Sequence, residues 1–264
     1  MKIGFIGCGN MAPAMLKGIL KSGEVEASDM IASAKSDKTR EKIEKELGIR
    51  KADTNAQVVD FADVVFLAVK PQFLEGVLDE IRDSVKAGQI FISIAPGKTL
   101  QWLGERLGEN TKVIRTMPNT PAMVGEGMTA LCVNELVTEE EIALAVKLCD
   151  TFGKTEVIPE HLMDAVVGVS GSSPAYVFMF LEAMADAAVA DGMPRAQAYK
   201  FAAQSVLGSA KLMLETGKHP GELKDMVCSP AGTTIQAVRV LEEKGFRSAV
   251  IEAQTECVKK AKGM

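Results

Sequence analysis

Lys2-Ile3-Gly4-Phe5-Ile6-Gly7-Cys8-Gly9-Asn10-Met11-Ala12 runs from a short apolar stretch into a glycine-rich turn and then a helical pattern. The spacing of Gly7, Gly9 and Ala12 is G-x-G-x-x-A. The first glycine permits a tight turn, and the second lets backbone approach a pyrophosphate. The small third residue lets helix and strand pack closely, while the helix N-terminus turns its positive end toward the phosphates. Glycines alone could serve only the turn. Here a strand (Lys2 to Ile6) precedes them and a helix from about Asn10 to Ser22 follows, the context a dinucleotide-binding fingerprint requires.

Outward from that stretch the chain keeps alternating. Met30 to Ser33 reads as a strand and Asp37 to Glu46 as a polar amphipathic helix. Val64 to Val69 (VVFLAV) is apolar on both faces, as a parallel strand covered by helices must be. Phe91 to Ala95 and Lys112 to Thr116 read as further strands, with helices over Leu74 to Val85 and Leu100 to Leu107. Thr138 and Glu141 fit a capping box that opens a helix to Asp150. The pattern predicts an α/β chain with a Rossmann-type, doubly wound parallel sheet over residues 1–160.

After Glu160 the strand signal stops. Ser173-Pro174 opens a helix with proline where its missing N–H costs nothing, and Pro194 opens the next. Between Tyr176 and Ala190 only Glu182 and Asp186 are charged, so that helix must be covered on most sides. A carboxylate pair four residues apart reads as a solvated or subunit-edge feature. The next helix carries Ala198, Ala202, Ala203, Ser205, Gly208, Ser209 and Ala210, small residues that permit close approach. Residues 161–264 are therefore expected to form an all-helical domain that completes its core with a second subunit.

Composition bounds the function. The 264 residues are 47% apolar and 25% charged, with a net charge of −5, unlike the basic footprint of nucleic-acid proteins. Aromatic residues are 5% of the chain and Trp102 is the single tryptophan, which argues against base-stacking platforms. The five cysteines (Cys8, Cys132, Cys149, Cys228, Cys257) lack the spacing of a metal or disulfide framework and read as free thiols in a reducing cytoplasm. No metal motif is present. The apolar run Ala175 to Leu181 is far short of the ~18 residues a span needs, so no membrane partner is expected. Lys2, Ile3 to Cys8 and Ala12-Pro13-Ala14 only faintly mimic a signal peptide.

The end of the second strand reads Ser33-Ala34-Lys35-Ser36. Two hydroxyls and a cation suit the 2′-phosphate of NADPH, while Asp37 nearby keeps NADH open. The two histidines, His161 and His219, fall at helix boundaries and read as surface or capping residues. Three loops stand out: Met117 to Pro121 after a strand, Gly168 to Pro174 before the apolar helix, and Ser229-Pro230-Ala231-Gly232-Thr233-Thr234 before the helix Ile235 to Glu243. The last offers free N–H groups and three hydroxyls, and reads equally as a carboxylate seat or a simple N-cap.

Gly7 to Ala12, Ala68-Val69-Lys70-Pro71, Met117 to Pro121, Gly171 to Tyr176 and Asp225 to Thr234 together closely resemble the pyrroline-5-carboxylate reductase family, in order over nearly the whole chain. The resemblance implies reduction of the cyclic imine 1-pyrroline-5-carboxylate to L-proline with NADPH or NADH, the last step of proline synthesis. It implies a helical domain interlocked into homodimers, which in the family are often assembled into pentamers of dimers. It places Gly7, Cys8, Gly9, Asn10 and Met11 at the pyrophosphate, with Ile6 also on the cofactor, Ser33 and Lys35 on the adenosine side, and Asn55 at the adenine ribose. Ala68, Val69, Lys70, Pro71, Ile94 and Ala95 would flank the nicotinamide. Ser229, Gly232, Thr233 and Thr234 would hold the substrate carboxylate, with the Thr234 hydroxyl on the ring nitrogen as the catalytic contact and Glu160 near the substrate.

Two other readings remain. A β-hydroxyacid dehydrogenase would need a lysine on the helix beginning Pro174-Ala175-Tyr176-Val177, which has none. A non-catalytic nucleotide binder would have no use for the hydroxyl-lined loop.

Overall fold

The computed structural model describes residues 1–263. Eight strands form one sheet: β1 (Ile3–Ile6), β2 (Met30–Ser33), β3 (Arg50–Ala52), β4 (Val64–Leu67), β5 (Ile90–Ser93), β6 (Lys112–Met117), β7 (Gly127–Val133) and β8 (Gly153–Val157). Their order is β3-β2-β1-β4-β5-β6-β7-β8. The chain winds outward from β1 through β2 to β3, then returns to lay β4 on the other side of β1. Ligands of open α/β sheets sit at such a reversal, beyond the carboxyl ends of the strands.

Alternation along the strands divides the core in two. Ile3, Phe5, Val64 and Phe66 point to one face, where Phe5 and Phe66 stack with centroids 4.5 Å apart. Met15, Leu16 and Ile19 of α1 (Met11–Ser22) close that side. Ile6, Val65 and Leu67 point to the other, against Leu74 and Leu78 of α4 (Pro71–Ile81) and Leu103 of α5 (Leu100–Leu107). The remaining helices of this part are α2 (Asp37–Leu47), α3 (Asn55–Phe61), α6 (Glu139–Asp150) and the short α7 (Met163–Val166). Thr138 and Glu141 form the expected capping box on α6.

The all-parallel sheet needs correction. β7 runs antiparallel to β6, and β8 lies parallel to β7. Residues 118–126 hold only a 3-10 turn, Thr120–Val124, and a parallel return would need a longer crossover. The edge strands β3 and β8 were not legible as strands. Their sequences, RKA and GKTEV, are mostly exposed and carry little apolar alternation.

By its internal contacts the chain forms two compact units, Met1–Gly171 with the chain from Lys260, and Ser172–Lys259. The second is helical: α8 (Ser173–Ala190), α9 (Arg195–Thr216), α10 (Pro220–Val227), α11 (Thr233–Glu243) and α12 (Phe246–Ala261). Its buried hydrophobic residues, among those described, are three alanines: Ala185, Ala198 and Ala202. Phe178, Met179 and Phe201 are 62%, 70% and 67% exposed. The stretch Glu160–Ala190, made of short 3-10, α and π turns to Gly171, a bend at Ser172 and then α8, is by length and composition apolar enough to cross a membrane. That exceeds the short run expected from the sequence, because the longer window takes in the glycine, serine and alanine scattered among the apolar residues.

Candidate functional site

Gly7 sits at the reversal point with φ +93°, and its N–H donates to Ser33 O at 3.1 Å. A Cβ there would lie 2.6 Å from Val69 Cγ1 and 2.8 Å from Ala68 O, so only glycine fits between β1 and the chain after β4. At Gly9 a Cβ would meet nothing within 4 Å. That open space lies before α1, whose first N–H groups receive no side-chain cap from Asn10. Uncapped N–H groups beside an open glycine turn form an anion seat. Ile6, Cys8 and Met11 complete this turn. Burial pushes the Cys8 thiol up to about 12, so it packs as a neutral group.

A cleft of about 490 Å³ lies beside this turn, lined by Ser33, Lys35, Arg40, Asn55, Phe73 and Glu80 among others. Ser33 Oγ donates to Asn55 Oδ1 at 2.6 Å, and Asn55 Nδ2 donates to Glu80 Oε2 at 2.7 Å. Lys35 Nζ stands 5.4 Å from the centroid of the Phe73 ring. Arg40 Nη1 donates to Ala34 O at 2.9 Å, and its Nη2 pairs with Asp37 Oδ1. The structure thus brings Ser33, Lys35 and Asn55 to one cleft and adds Arg40, Phe73 and Glu80. Sequence reading missed these three because which face of α2 and α4 meets the end of β2 depends on packing. An uncapped phosphate seat next to two cations and a hydroxyl fits a dinucleotide bearing a 2′-phosphate.

Ala68 follows β4, its N–H donating to Ile6 O at 2.8 Å, and Val69 and Lys70 lead to Pro71 at the first position of α4. Ile94 N–H donates to Leu67 O at 3.2 Å, and Ala95 is buried. These residues share the carboxyl edge of the sheet with Gly7. Asn119 ties two of the noted loops together: its Nδ2 donates to Ser170 O at 3.0 Å, and its Oδ1 accepts from Met128 N at 2.8 Å. Glu160 Oε1 accepts from Leu100 N at 2.7 Å and from Arg115 Nη1 at 3.0 Å. One oxygen of Glu160 therefore anchors the start of α5 to a buried arginine. His219 is an N-cap, its Nδ1 accepting from Gly221 N at 3.1 Å.

In the second unit, Gly232 N donates to Ser229 O at 3.0 Å, closing a tight turn over Pro230 and Ala231. Ala231 takes φ +58°, while Gly232 keeps an ordinary φ of −75°. Space at 232 is tight, since a Cβ would lie 2.3 Å from the rotatable Ser229 Oγ and 3.1 Å from Ser229 O. The cap position of α11 is Gly232, with no side-chain cap, and Thr234 lies inside the first turn. Thr234 is therefore not the helix cap. The N–H groups that open α11 receive no side-chain cap and stand near the hydroxyls of Ser229, Thr233 and Thr234, the donors an anion can accept from.

A glycine turn at the reversal of a doubly wound sheet, joined to an under-covered helical unit, defines a Rossmann-type NAD(P)-dependent oxidoreductase. Residues 160–264 match the family described as pyrroline-5-carboxylate reductase dimerisation, and residues 2–97 match the NADP oxidoreductase, coenzyme F420-dependent, family. The chain is 56% identical to the pyrroline-5-carboxylate reductase of Escherichia coli strain K12, over 98% of this chain and 97% of that protein. Among solved structures, the Coxiella burnetii pyrroline-5-carboxylate reductase matches with TM-score 0.93 and 34% identity, covering 99% and 97% of the two chains. The Plasmodium falciparum pyrroline carboxylate reductase with NADP bound matches with TM-score 0.90 and 28% identity, covering 100% and 97%. This chain belongs to the pyrroline-5-carboxylate reductase family.

Proposed function

We infer that the chain reduces 1-pyrroline-5-carboxylate to L-proline with NADPH, using positioned hydrogen bonds and no obligatory side-chain acid or base. The observation that carries the substrate reading is the uncapped Ser229–Thr234 turn. In this reading Ser229, Gly232 and Thr233 hold the substrate carboxylate, and the Thr234 hydroxyl accepts a hydrogen bond from the ring N–H. When bound, reduced nicotinamide would supply the hydride that adds to C5 of the protonated imine, and the C=N π pair would become the amine lone pair. A protonated imine is already electrophilic, so the protein chiefly orients the ring and excludes water. Glu160 acts near the substrate by fixing the start of α5 through Leu100 and Arg115.

Gly7 to Met11 seat the pyrophosphate with Ile6 beside them, Ser33 and Lys35 the adenosine end, Asn55 the ribose, and Ala68 to Pro71 with Ile94 and Ala95 the nicotinamide half. Residues 1–160 bind the nucleotide and 161–264 carry the substrate loop and the dimer contact. The chain oligomerises, and a second copy, rather than lipid, covers α8. Glu182 and Asp186 would each cost about 2.5–3.5 kcal/mol near a bilayer centre. Dimers assemble into a pentamer of dimers, and the enzyme works in the cytoplasm, where its thiols stay reduced.

One assay tests the reading: NADPH consumption with 1-pyrroline-5-carboxylate, beside NADP reduction with a 3-hydroxy acid. Turnover of the imine alone is expected. Turnover of the hydroxy acid alone would overturn it.

A further inference from the structure

Arg40 has two partners that differ in kind. Its Nη1 bond to Ala34 O fixes the guanidinium against the end of β2, and its side chain is only 18% exposed. Its other partner, Asp37, is one turn away on α2 with a side chain 80% exposed. The first contact builds the wall of the adenosine cleft, and the second is a surface ion pair. Such pairs are worth little, commonly under about 1 kcal/mol. A phosphate dianion can take two parallel N–H bonds from a guanidinium and binds it more strongly than an exposed carboxylate does. Lys35, on the loop between β2 and α2, adds a second cation to the same cleft.

We propose that Asp37 acts as an internal competitor for Arg40, occupying the guanidinium until the 2′-phosphate of NADPH displaces it, and so sets the preference between NADPH and NADH. With NADH there is no phosphate, and Arg40 stays neutralised by Asp37 at the cleft wall. With NADPH the carboxylate is released to solvent, at the cost of one weak ion pair. Asp37 thereby moderates a selectivity that Arg40 and Lys35 create. This rests on the cofactor reading above, and the test separates the two.

Titration calorimetry of the intact protein with 2′,5′-ADP and with 5′-AMP reads the adenosine seat without turnover. Both nucleotides are expected to bind, 2′,5′-ADP more tightly. Asp37→Asn should tighten 2′,5′-ADP about 2- to 5-fold and leave 5′-AMP unchanged, the size of an exposed ion pair. Arg40→Gln should weaken 2′,5′-ADP about 10- to 100-fold and 5′-AMP by a smaller factor, since it also removes the bond to Ala34 O in the cleft wall. In the Arg40→Gln background, Asp37→Asn should have no further effect. A gain that persists there would show Asp37 acting as general negative charge, and no gain in either background would show it is idle; each overturns the competition while leaving the cofactor seat intact. Failure of both nucleotides to bind the unaltered protein would overturn the seat and the competition together.

Discussion

Ala231 is the only non-glycine residue with positive φ among the described residues, at the bend that precedes Thr233 and Thr234. A left-handed conformation costs an alanine roughly 1–2 kcal/mol, part of which glycine returns through its greater entropy loss on folding. Ala231→Gly should therefore raise stability by about 0.5–1 kcal/mol, seen as a melting point up by about 1–4 °C. No rise would mean that the turn carries no strain. Three positions on, Thr234→Val keeps the shape and removes the hydroxyl. Because the cap position is Gly232, the melting point should barely move. The kcat/KM for the imine should fall about 10- to 100-fold, the worth of one hydrogen bond to a charged partner. Unchanged kcat/KM would leave the chemistry to the backbone N–H groups.

At the scale of the element, α8 is set apart by what it lacks. Ala185 is its one buried hydrophobic residue in the single chain, while Val177, Phe178, Met179, Phe180 and Met184 are exposed. Aromatic and methionine side chains left in water over several turns form a patch that marks an interaction surface. On α9 the buried residues are the small Ala198 and Ala202, and a ring contact of Phe180 with Phe246 at 6.2 Å leaves most of the α8 patch uncovered. Phe178→Asp should shift the protein toward monomer in sedimentation velocity at micromolar concentration. An unaltered oligomer would place the subunit contact on another face. The capping box on α6 is the opposite case, since Thr138 and Glu141 lie three apart in sequence and meet through local geometry alone.

For the whole molecule, the cysteines report where the solid core lies. Burial pushes the thiols of Cys8, Cys132 and Cys149 up to about 12 from an ordinary value of 9.0. All three belong to the first unit. An unfolded chain releases these protons above pH 9, whereas the folded chain holds them until about 12. The native state thus binds more protons across that window, and stability must fall as pH rises through it. The melting point should be lower at pH 10.5 than at pH 8, and native protein at pH 8 should leave the buried Cys132 and Cys149 unalkylated. Rapid alkylation of Cys149 would show that the first unit opens locally. The second unit, whose buried apolar residues are three alanines, should not persist as a folded monomer when residues 161–264 are expressed alone.

What the sequence determined by itself is everything that depends on neighbours in the chain. The turn at Gly7–Gly9, the both-sided apolar strand at Val64–Leu67, the capping box at Thr138 and the start of α8 at Ser173-Pro174 each follow from spacing, propensity or a missing N–H. The uncovered character of α8 was legible too, because a helix with charges only at Glu182 and Asp186 has no face for water. The tertiary structure alone decided the rest. The direction of β7 turned on a connection too short to cross over, and β3 and β8 exist because a sheet edge offered their backbones partners that their side chains do not advertise. Arg40 and Phe73 became part of the cleft beside Ser33 only when α2 and α4 docked against the end of β2. The Glu160–Arg115 pair joins residues 45 positions apart, a distance across which no local pattern carries a signal, because pairing over such a loop is set by packing of the whole sheet.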